Sequence, residues 1–213
     1  MIVKVCGMRN ADNIRAVEQA GADWMGFIFH PRSPRYVPSI PTYLPKRCKR
    51  VGVFVDDAQS TILQKVQDFG LHLVQLHGNE SPAFVRQLHN RLSPDVQIIK
   101  MIPLACEQDL QKAGTYVGDV AYFLFETKKR LAAGYYGGSG QQFDWQLLEA
   151  YQLPTPFLIT GGIGPDDAVR VRQLHLPKFA GVDINSRFET TPALKDVTAI
   201  KTFIKELTQN PQQ

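Results

Sequence analysis

The sequence predicts a (β/α)8 (TIM) barrel, an α/β fold in which eight parallel strands alternate with helices. Three observations support it: short apolar segments alternate with longer amphipathic ones, eight such repeats can be counted, and 213 residues suffice for a compact barrel. No Gly/Ser-rich or Pro-rich linker divides the chain, and 44% of its residues are hydrophobic. We therefore expect residues 1–213 to form a single domain.

Eight segments have the uniformly apolar or β-branched character of buried parallel strands. They are Ile2–Cys6, Trp24–Phe29, Arg50–Val55, Leu71–Leu76, Gln97–Met101, Ala121–Phe125, Pro156–Thr160 and Phe179–Ile184. Seven further segments have the spacing of amphipathic helices, and two of them begin with good caps, at Ser81-Pro82 and at Asp144. They are Ala11–Ala20, Ala58–Phe69, Ser81–Leu92, Glu107–Ala113, Trp145–Tyr151, Pro165–Leu174 and Leu194–Leu207.

One connection breaks the alternation. Three prolines lie within Pro38–Pro45, between the second and third strands, and proline excludes a regular long helix. We expect an irregular connection there, with at most one short helical turn in place of the second helix. A doubly wound open sheet is the alternative fold, because periodicity does not show closure. Such sheets usually have roughly five to seven strands, so a count of eight favours the barrel.

Composition narrows the classes of function. The formal net charge is +4, but the 24 lysines and arginines are scattered, which argues against a nucleic-acid partner and is compatible with a small anionic substrate. The three cysteines, Cys6, Cys48 and Cys106, have no metal-site or redox spacing, so we expect no metal and a reducing cytoplasm. No apolar segment is long enough to span a membrane, and we expect no signal peptide.

The C-terminal ends of the strands are where a barrel carries its active site. Cys6 ends the first strand, Glu126 follows the sixth and Asp183 lies in the eighth. Arg35 and His77 follow the second and fourth strands. A thiol, carboxyl groups and a guanidinium therefore converge on one rim. This set suits a reaction that needs a base, an acid and anion binding.

Two glycine-rich turns have the composition of phosphate-binding loops. One contains Gly138-Ser139-Gly140 and the other Gly161-Gly162. Glycine lets backbone N–H groups approach an anion, and the helix that follows each turn adds a favourable dipole. Barrels often hold phosphate in the loops after strands seven and eight, which contain the second turn and Asn185-Ser186. Either turn alone is more often only a turn, but together they favour a phosphate site.

At this point the chain resembles a known family, the phosphoribosylanthranilate isomerases. The similar motifs occur in the family's order and extend over nearly the whole chain, so that together they are highly specific although each alone is weak. They are Val3–Asn10, Gly21–Asp23, Gly26–Phe29, Ser33–Val37, Val51–Val55, Val74–Glu80, Tyr136–Gly140 with Phe143–Trp145, and Gly181–Glu189.

The resemblance implies an isomerase of tryptophan biosynthesis. Its reaction is the Amadori rearrangement of N-(5-phosphoribosyl)anthranilate to 1-(2-carboxyphenylamino)-1-deoxyribulose 5-phosphate by general acid and base catalysis. Members of the family use no metal or cofactor. The resemblance further implies a single catalytic domain in the cytoplasm that binds a phosphorylated small molecule, with no nucleic-acid or membrane partner. A monomer and a homodimer both remain open.

Two catalytic roles carry over by position. Cys6 matches the general base of the family; its active form is the thiolate, and a free thiol has a pKa of about 8.5. By position alone a buried structural cysteine is the commoner outcome, but the surrounding motif favours catalysis. Glu126 stands where the family usually has an aspartate general acid, and its extra methylene moves the carboxyl group outward. A solvated loop carboxylate is the alternative for Glu126.

The remaining matches concern binding. Arg35 matches the residue that contacts the anthranilate carboxylate, to which a guanidinium binds through two parallel bonds; a surface arginine is the alternative. His77 is expected to line the anthranilate end, although a lone histidine after a strand is as often structural. Asp183 either binds substrate hydroxyls or forms a structural hydrogen bond. Arg187 replaces a small residue of several members, and either reaches the phosphate or lies on the surface.

Three rival functions are weaker. Indole-glycerol-phosphate synthase is expected to carry a catalytic lysine and additional N-terminal residues, neither of which matches here. The related histidine-pathway isomerase has an aspartate where this chain has Cys6. A noncatalytic phosphosugar-binding barrel belongs to another class and is favoured only by Glu126. Because Cys6, Arg35 and both glycine turns occur together, the isomerase is the better prediction.

Overall fold

The structure, a computed structural model that describes residues 1–127, 129–130, 136–137 and 145–209, contains a closed barrel of eight parallel strands. Consecutive strands are neighbours around the barrel, and the first strand pairs with the last. The predicted (β/α)8 barrel is therefore confirmed. The strands are β1 Ile2–Val5, β2 Trp24–Ile28, β3 Lys49–Phe54, β4 Leu73–Leu76, β5 Gln97–Leu104, β6 Tyr122–Thr127, β7 Phe157–Thr160 and β8 Phe179–Ile184.

Helices and short turns connect the strands. Within the described residues the α-helices are α1 Ala11–Gln19, α2 Gln59–Phe69, α3 Pro82–Arg91, α4 Glu107–Ala113, α5 Ala168–Arg172 and α6 Val197–Thr208. The 3₁₀ helices are Gly114–Tyr116, Trp145–Ala150, Pro165–Asp167 and Ser186–Phe188. Two short antiparallel pairs join Glu189–Thr191 to Leu194–Lys195 and Lys129–Arg130 to Tyr136–Gly137. No helix in these described ranges has the length and apolar character needed to cross a bilayer.

Several predicted helix bounds need correction. Residues Trp145–Ala150 form a 3₁₀ helix rather than an α-helix. The last helix begins at Val197 instead of Leu194, because Leu194–Lys195 first pairs with the preceding strand. Asp196 then caps this helix, its Oδ1 accepting the N–H of Ala199 at 3.0 Å.

The other predicted caps have mixed outcomes. The predicted cap of α3 is confirmed, since Ser81 Oγ accepts the N–H of Phe84 at 3.2 Å and Pro82 follows it. The predicted segment Pro165–Leu174 consists of a 3₁₀ turn followed by α5, which ends at Arg172. Asp144 lies outside the described residues.

Two separate apolar layers hold the barrel together. The larger one lies between the strands and the surrounding elements and includes aromatic contacts such as Phe125 with Phe157, whose ring centroids are 5.3 Å apart. The smaller one takes one or two side chains from each of the strands β2–β7 and fills the barrel interior. Above this interior layer, Cys6, Ile28 and Val53 form a further buried cluster. The site described below therefore rests on a filled barrel, not on a pore.

The proline-rich connection between β2 and β3 contains no regular helix, as predicted. It is held against α1 by the carboxylate of Glu18, which is buried. Glu18 accepts a hydrogen bond from the Tyr43 hydroxyl and one from each backbone N–H of Lys46 and Arg47, both at 2.6 Å. These bonds satisfy backbone groups that a helix would otherwise have paired. The carboxylate of Glu18 thus stabilises the connection between β2 and β3 in the absence of a second helix.

Replacing Glu18 by glutamine should destabilise the protein in a pH-dependent way. Burial raises the pKa of Glu18, but the bonds from Tyr43, Arg47 and Lys46 outweigh this and hold the pKa below its usual value. The stabilisation is therefore present above the unfolded pKa of about 4.3 and is lost as pH falls through the lower folded pKa. At pH 7 we expect Glu18→Gln to lower the free energy of unfolding by about 1–2 kcal/mol in urea titrations.

The difference between wild type and Glu18→Gln should shrink as the pH is lowered through the acid range. Asp12→Asn is the matched control, because it removes an exposed carboxylate from the same helix and should leave the free energy of unfolding nearly unchanged. A Glu18→Gln effect that stays constant from neutral to acid pH would contradict the assignment.

Candidate active site

A cavity of about 320 Å³ opens at the C-terminal ends of the barrel strands. The predicted site residues that fall within the described part of the chain all line it. The structure therefore brings together residues of β6 and β8 and of the segments that follow β1, β2, β4, β7 and β8. These residues are Cys6, Arg35, His77, Glu126, Gly161, Gly162, Asp183, Asn185 and Ser186. The predicted phosphate loop Gly138-Ser139-Gly140 lies outside the described residues.

Cys6 follows β1, and its thiol is buried at the inner end of the cavity. Its backbone N–H donates to the carbonyl of Ile184 at 2.9 Å, which fixes Cys6 against the end of β8. The adjacent strand β2 has a glycine at position 26, where a Cβ would come within 2.8 Å of Cys6 Sγ. Gly26 therefore makes room for the sulfur. Burial raises the pKa of Cys6 above its ordinary value, and the ammonium of Lys4 opposes this rise.

Asp183 forms a buried ion pair below Cys6. The register of β1 and β8 places Lys4 beside Asp183, and Lys4 Nζ lies 2.7 Å from Asp183 Oδ2. The other carboxylate oxygen, Oδ1, is buried and has no hydrogen-bond partner among the described residues. Because Asp183 also lines the cavity, Oδ1 is available to a ligand donor. One carboxylate thus has a structural bond on one oxygen and a free acceptor on the other.

Glu126 lies on β6, which is separated from β1 by two strands in one direction around the barrel and by four in the other. Glu126 and Cys6 therefore approach the cavity from different sides. Glu126 Oε2 is 3.5 Å from His77 Nε2. The Nδ1 atom of His77 lies 3.0 Å from the amide nitrogen of Gln75, which is a donor. In the tautomer whose Nδ1 accepts this amide N–H, a neutral His77 would carry its proton on Nε2, the atom nearest to Glu126 Oε2.

Arg35 reaches the cavity from the β2 side, but much of its guanidinium is already engaged. Its Nε and Nη2 donate to the carboxylate of Glu189 at 2.6–3.0 Å, and Nη1 takes no part in these bonds. Glu189 also accepts a bond from Lys195 Nζ at 2.7 Å. The sequence predicts that Arg35 meets a substrate carboxylate through two bonds; in the structure the paired edge of the guanidinium faces Glu189. Nη1 is then the nitrogen left for a ligand.

The second glycine-rich turn follows β7 at another part of the rim. Gly161 and Gly162 have φ values of +95° and +72°, which lie in the left-handed region that glycine adopts without strain. Arg187 also lines the cavity, and its Nη1 donates to the carbonyl of Gly162 at 3.0 Å. Its guanidinium packs against Gly164. The turn, Ser186 and Arg187 together give this end of the cavity backbone donors and a positive charge.

Sequence reasoning missed several buried polar residues that support the site. Lys4, Gln75, Glu189 and Lys195 are not among the predicted residues, although each pairs with one that is or lies against it. For two of them a signal existed, because Lys4 and Gln75 are polar residues in otherwise apolar strands and stand two positions before Cys6 and His77. Alternation along a strand puts such pairs on the same face. Glu189 and Lys195 gave no comparable signal.

The chemistry available in the cavity is proton transfer combined with anion binding. A thiol and a carboxyl group line the cavity from two sides, where they can serve as a base and an acid. A positively charged, glycine-rich end suits a phosphate, and Arg35 Nη1 suits a second anionic group. In the described residues no group of three or more histidine, cysteine or acidic side chains is arranged to hold a metal ion.

Comparison with known proteins agrees with this geometry. The family model of N-(5'-phosphoribosyl)anthranilate isomerase matches residues 3–206. A protein of that name from Phocaeicola vulgatus is 52% identical over 212 residues, with 100% of both chains covered. A protein of the same name from Parabacteroides distasonis is 43% identical, with 97% of this chain and 93% of its own length covered.

Solved structures give the same result. The chain is similar to phosphoribosyl anthranilate isomerase from Thermotoga maritima with a TM-score of 0.78 at 32% identity, covering 97% of this chain and 98% of that one. A phosphoribosyl anthranilate isomerase in complex with reduced 1-(o-carboxyphenylamino)-1-deoxyribulose 5-phosphate also has a TM-score of 0.78, at 29% identity and the same coverage. With a family model matching nearly all of its length and a relative at 52% identity over the whole chain, this protein belongs to the N-(5'-phosphoribosyl)anthranilate isomerase family.

Proposed function

We propose that this protein catalyses the Amadori rearrangement of N-(5'-phosphoribosyl)anthranilate, a step of tryptophan biosynthesis, in a single catalytic domain that spans the chain. The observation that supports this most strongly is that Cys6 and Glu126 line one cavity whose rim also carries a glycine-rich turn and Arg187. The reaction needs a base, an acid and a phosphate site. The enzyme acts on a phosphorylated small molecule in the cytoplasm and has no nucleic-acid or membrane partner.

The substrate is held at its two charged ends. The phosphate lies at the glycine end, bound by backbone N–H groups of Gly161-Gly162 and Asn185-Ser186 and by the guanidinium of Arg187. The sequence predicts that Gly138-Ser139-Gly140 also bind the phosphate, but they lie outside the described residues. The anthranilate carboxylate lies at the other end, against Arg35 Nη1 and beside His77. In this orientation the sugar lies between Cys6 and Glu126. Holding both ends aligns the reacting carbons with the two catalytic groups.

Ring opening is the first chemical step. Glu126 gives its proton to the furanose ring oxygen as the bond from C1′ to that oxygen breaks. The anthranilate nitrogen supplies its lone pair, and a C1′=N Schiff base forms. The Nε2–H of His77 faces the carboxylate that remains, at the 3.5 Å separation seen in the free protein. A positively polarised N–H at this point stabilises the charge left on Glu126.

Proton removal from carbon is the second step. The Cys6 thiolate takes the C2′ proton, and the electron pair of that bond moves to form C1′=C2′ while the Schiff-base nitrogen is neutralised. The enolamine then tautomerises: C1′ gains a proton from water as the C2′ hydroxyl loses one to water and becomes a ketone. Proton exchange with water returns Cys6 to the thiolate and Glu126 to the acid. Asp183 Oδ1 is placed to accept a bond from a sugar hydroxyl and so fixes the face that Cys6 attacks.

Purified protein mixed with N-(5'-phosphoribosyl)anthranilate tests this function directly. Loss of anthranilate-type fluorescence, and growth of a tryptophan auxotroph that expresses the gene, are the expected results. The noncatalytic alternative predicts binding without turnover. Sedimentation of the protein separates a monomer from a homodimer. One solved relative consists of monomers generated from the dimeric phosphoribosylanthranilate isomerase of Thermotoga maritima.

Cys6→Ala should remove most turnover. We expect kcat to fall by about 10²–10⁴-fold with little change in KM, since the thiolate acts as the base. Because burial raises the pKa of Cys6, the thiolate fraction and kcat/KM of the wild type should increase as pH rises through the alkaline range. Steady-state kinetics at several pH values measure both effects. Cys48→Ala is the control, because Cys48 is buried away from the cavity; a near-normal kcat in Cys6→Ala would remove the thiol from the mechanism.

Two substitutions of Glu126 separate its ability to donate a proton from the length of its side chain. Glu126→Gln keeps the size but cannot donate a carboxylic proton, so kcat should fall by about 10²–10⁴-fold. Glu126→Asp keeps the acid and should retain more activity than the glutamine variant. Both kcat values come from the same fluorescence assay. Full activity in Glu126→Gln would mean that another group supplies the proton.

Arg35→Ala and Arg187→Ala form a matched pair for the two ends of the substrate. Each loses a charged hydrogen bond worth about 1.5–3 kcal/mol, which corresponds to roughly a 10–100-fold increase in KM. Inhibition by inorganic phosphate should weaken only in Arg187→Ala, and inhibition by anthranilate only in Arg35→Ala. Inhibition constants that change equally in both variants, or in neither, would refute the assignment of the two ends.

A further inference from the structure

Lys4 has no part in the steps proposed above, yet its ammonium is buried beneath the cavity. Its exposed fraction is 0%, and the register of β1 and β2 pairs it with Trp24 of the interior apolar layer. An ion taken out of water is costly unless it is paired, and a buried pair seldom adds stability compared with apolar residues of similar volume. The pair with Asp183 therefore satisfies Lys4 without explaining why a lysine is there. A neighbouring group other than Asp183 must explain the lysine.

That group is the thiol of Cys6. Lys4 lies on β1 and Cys6 directly follows this strand, and since they are two positions apart they point to the same face of the sheet. A Cβ built on Gly26 would lie 2.8 Å from Cys6 Sγ and 3.2 Å from Lys4 Nζ. Because both atoms lie so close to this one position, Cys6 Sγ and Lys4 Nζ are at most about 6 Å apart. At this distance a positive charge stabilises a neighbouring anion. Gly26 leaves this space free of a side chain that would separate sulfur and nitrogen.

We propose that Lys4 is a positioning residue that acts through Cys6: its ammonium, held in place by Asp183, is the fixed counter-ion of the Cys6 thiolate. The proposal rests on the proposed function, in which this thiolate removes the C2′ proton. Lys4 does not line the cavity, whereas Cys6 and Asp183 do. It therefore affects the reaction by stabilising the charged form of the base and not by contact with substrate.

Burial and three neighbouring charged groups shift the pKa of Cys6, each in a defined direction. Burial raises the pKa of Cys6; Lys4 lowers it, Asp183 raises it and Lys195 lowers it. Lys195 is tied to Glu189 and Asn185, each at 2.7 Å, and Arg35 lies beyond on the same Glu189. Burial lowers the pKa of Lys4, but Asp183 and Cys6 outweigh this and keep the amine protonated. Removing Lys4 should therefore raise the pKa of Cys6 further, and removing the charge of Asp183 should lower it.

The test is the pH dependence of Cys6 alkylation by iodoacetamide in the unliganded protein, resolved by site with mass spectrometry. Because the thiolate is the reactive form, the midpoint of the rate profile reports the pKa of Cys6. Cys106 is partly exposed and does not line the cavity, so it serves as the reference thiol within every sample.

Two variants isolate the charge of Lys4. Asp183→Asn should shift the Cys6 midpoint to lower pH than in wild type. The double variant Lys4→Met with Asp183→Asn should shift it upward by about 1–3 pH units relative to Asp183→Asn alone. This comparison avoids the unpaired buried carboxylate that Lys4→Met alone would leave, which is the change most harmful to folding. The Cys106 midpoint should be the same in all of these proteins.

Equal Cys6 midpoints in the single and double variants, or a lower midpoint in the double variant, would overturn the proposal.

Steady-state kinetics give a second readout. The acid limb of the kcat/KM profile should move to higher pH in the double variant than in Asp183→Asn, with similar KM values in the two. The proposed function fails separately. If Cys6→Ala remains active while the alkylation midpoints shift as expected, the counter-ion stands and the base is another group.

Discussion

The pairing of the first strand with the last is the constraint on which the site depends. The register of β1 and β8 places Lys4 beside Asp183, 179 positions apart in the chain, and their charged atoms meet at 2.7 Å. Two residues further along, Cys6 continues this pairing, since its N–H bonds to the carbonyl of Ile184 at the end of β8. A slip of one residue would turn these side chains to the other face of the sheet and leave buried charges unpaired. Closure of the barrel and the position of Cys6 at the cavity therefore depend on the same strand register.

Three polar side chains that line the cavity are each held by a neighbour that is more deeply buried. Glu189, 5% exposed, fixes the plane of the Arg35 guanidinium. Gln75, 1% exposed, fixes the ring of His77. Gly162 gives its carbonyl to Arg187. Such supports restrict rotamers before the substrate arrives, so that less conformational freedom is lost on binding. The cavity is thus a set of prearranged contacts on a rigid frame.

Sequence reasoning recovered the repeating features and missed those that depend on register. The strands could be predicted because buried parallel strands are uniformly apolar, and Cys6, Glu126 and Asp183 could be found because they stand at strand ends. Glu189 could not be paired with Arg35, since nothing local indicates that residues 154 positions apart meet. The 3₁₀ form of Trp145–Ala150 was missed because apolar spacing does not distinguish two helix types in so short a segment. Local patterns indicate elements, whereas partners follow from the closed barrel.

The buried Oδ1 of Asp183, without a hydrogen-bond partner among the described residues, has a consequence for selectivity. A ligand that excludes solvent from this oxygen without donating to it leaves the acceptor unsatisfied, at a cost in free energy. A sugar that brings a hydroxyl donor relieves that cost, while a deoxygenated analogue of the same shape leaves it in place. A site of this kind rejects the analogue far more strongly than an apolar pocket rejects a missing methylene group. Under the proposed function, Asp183 would therefore favour a sugar with a hydroxyl donor at this position over its deoxygenated analogue.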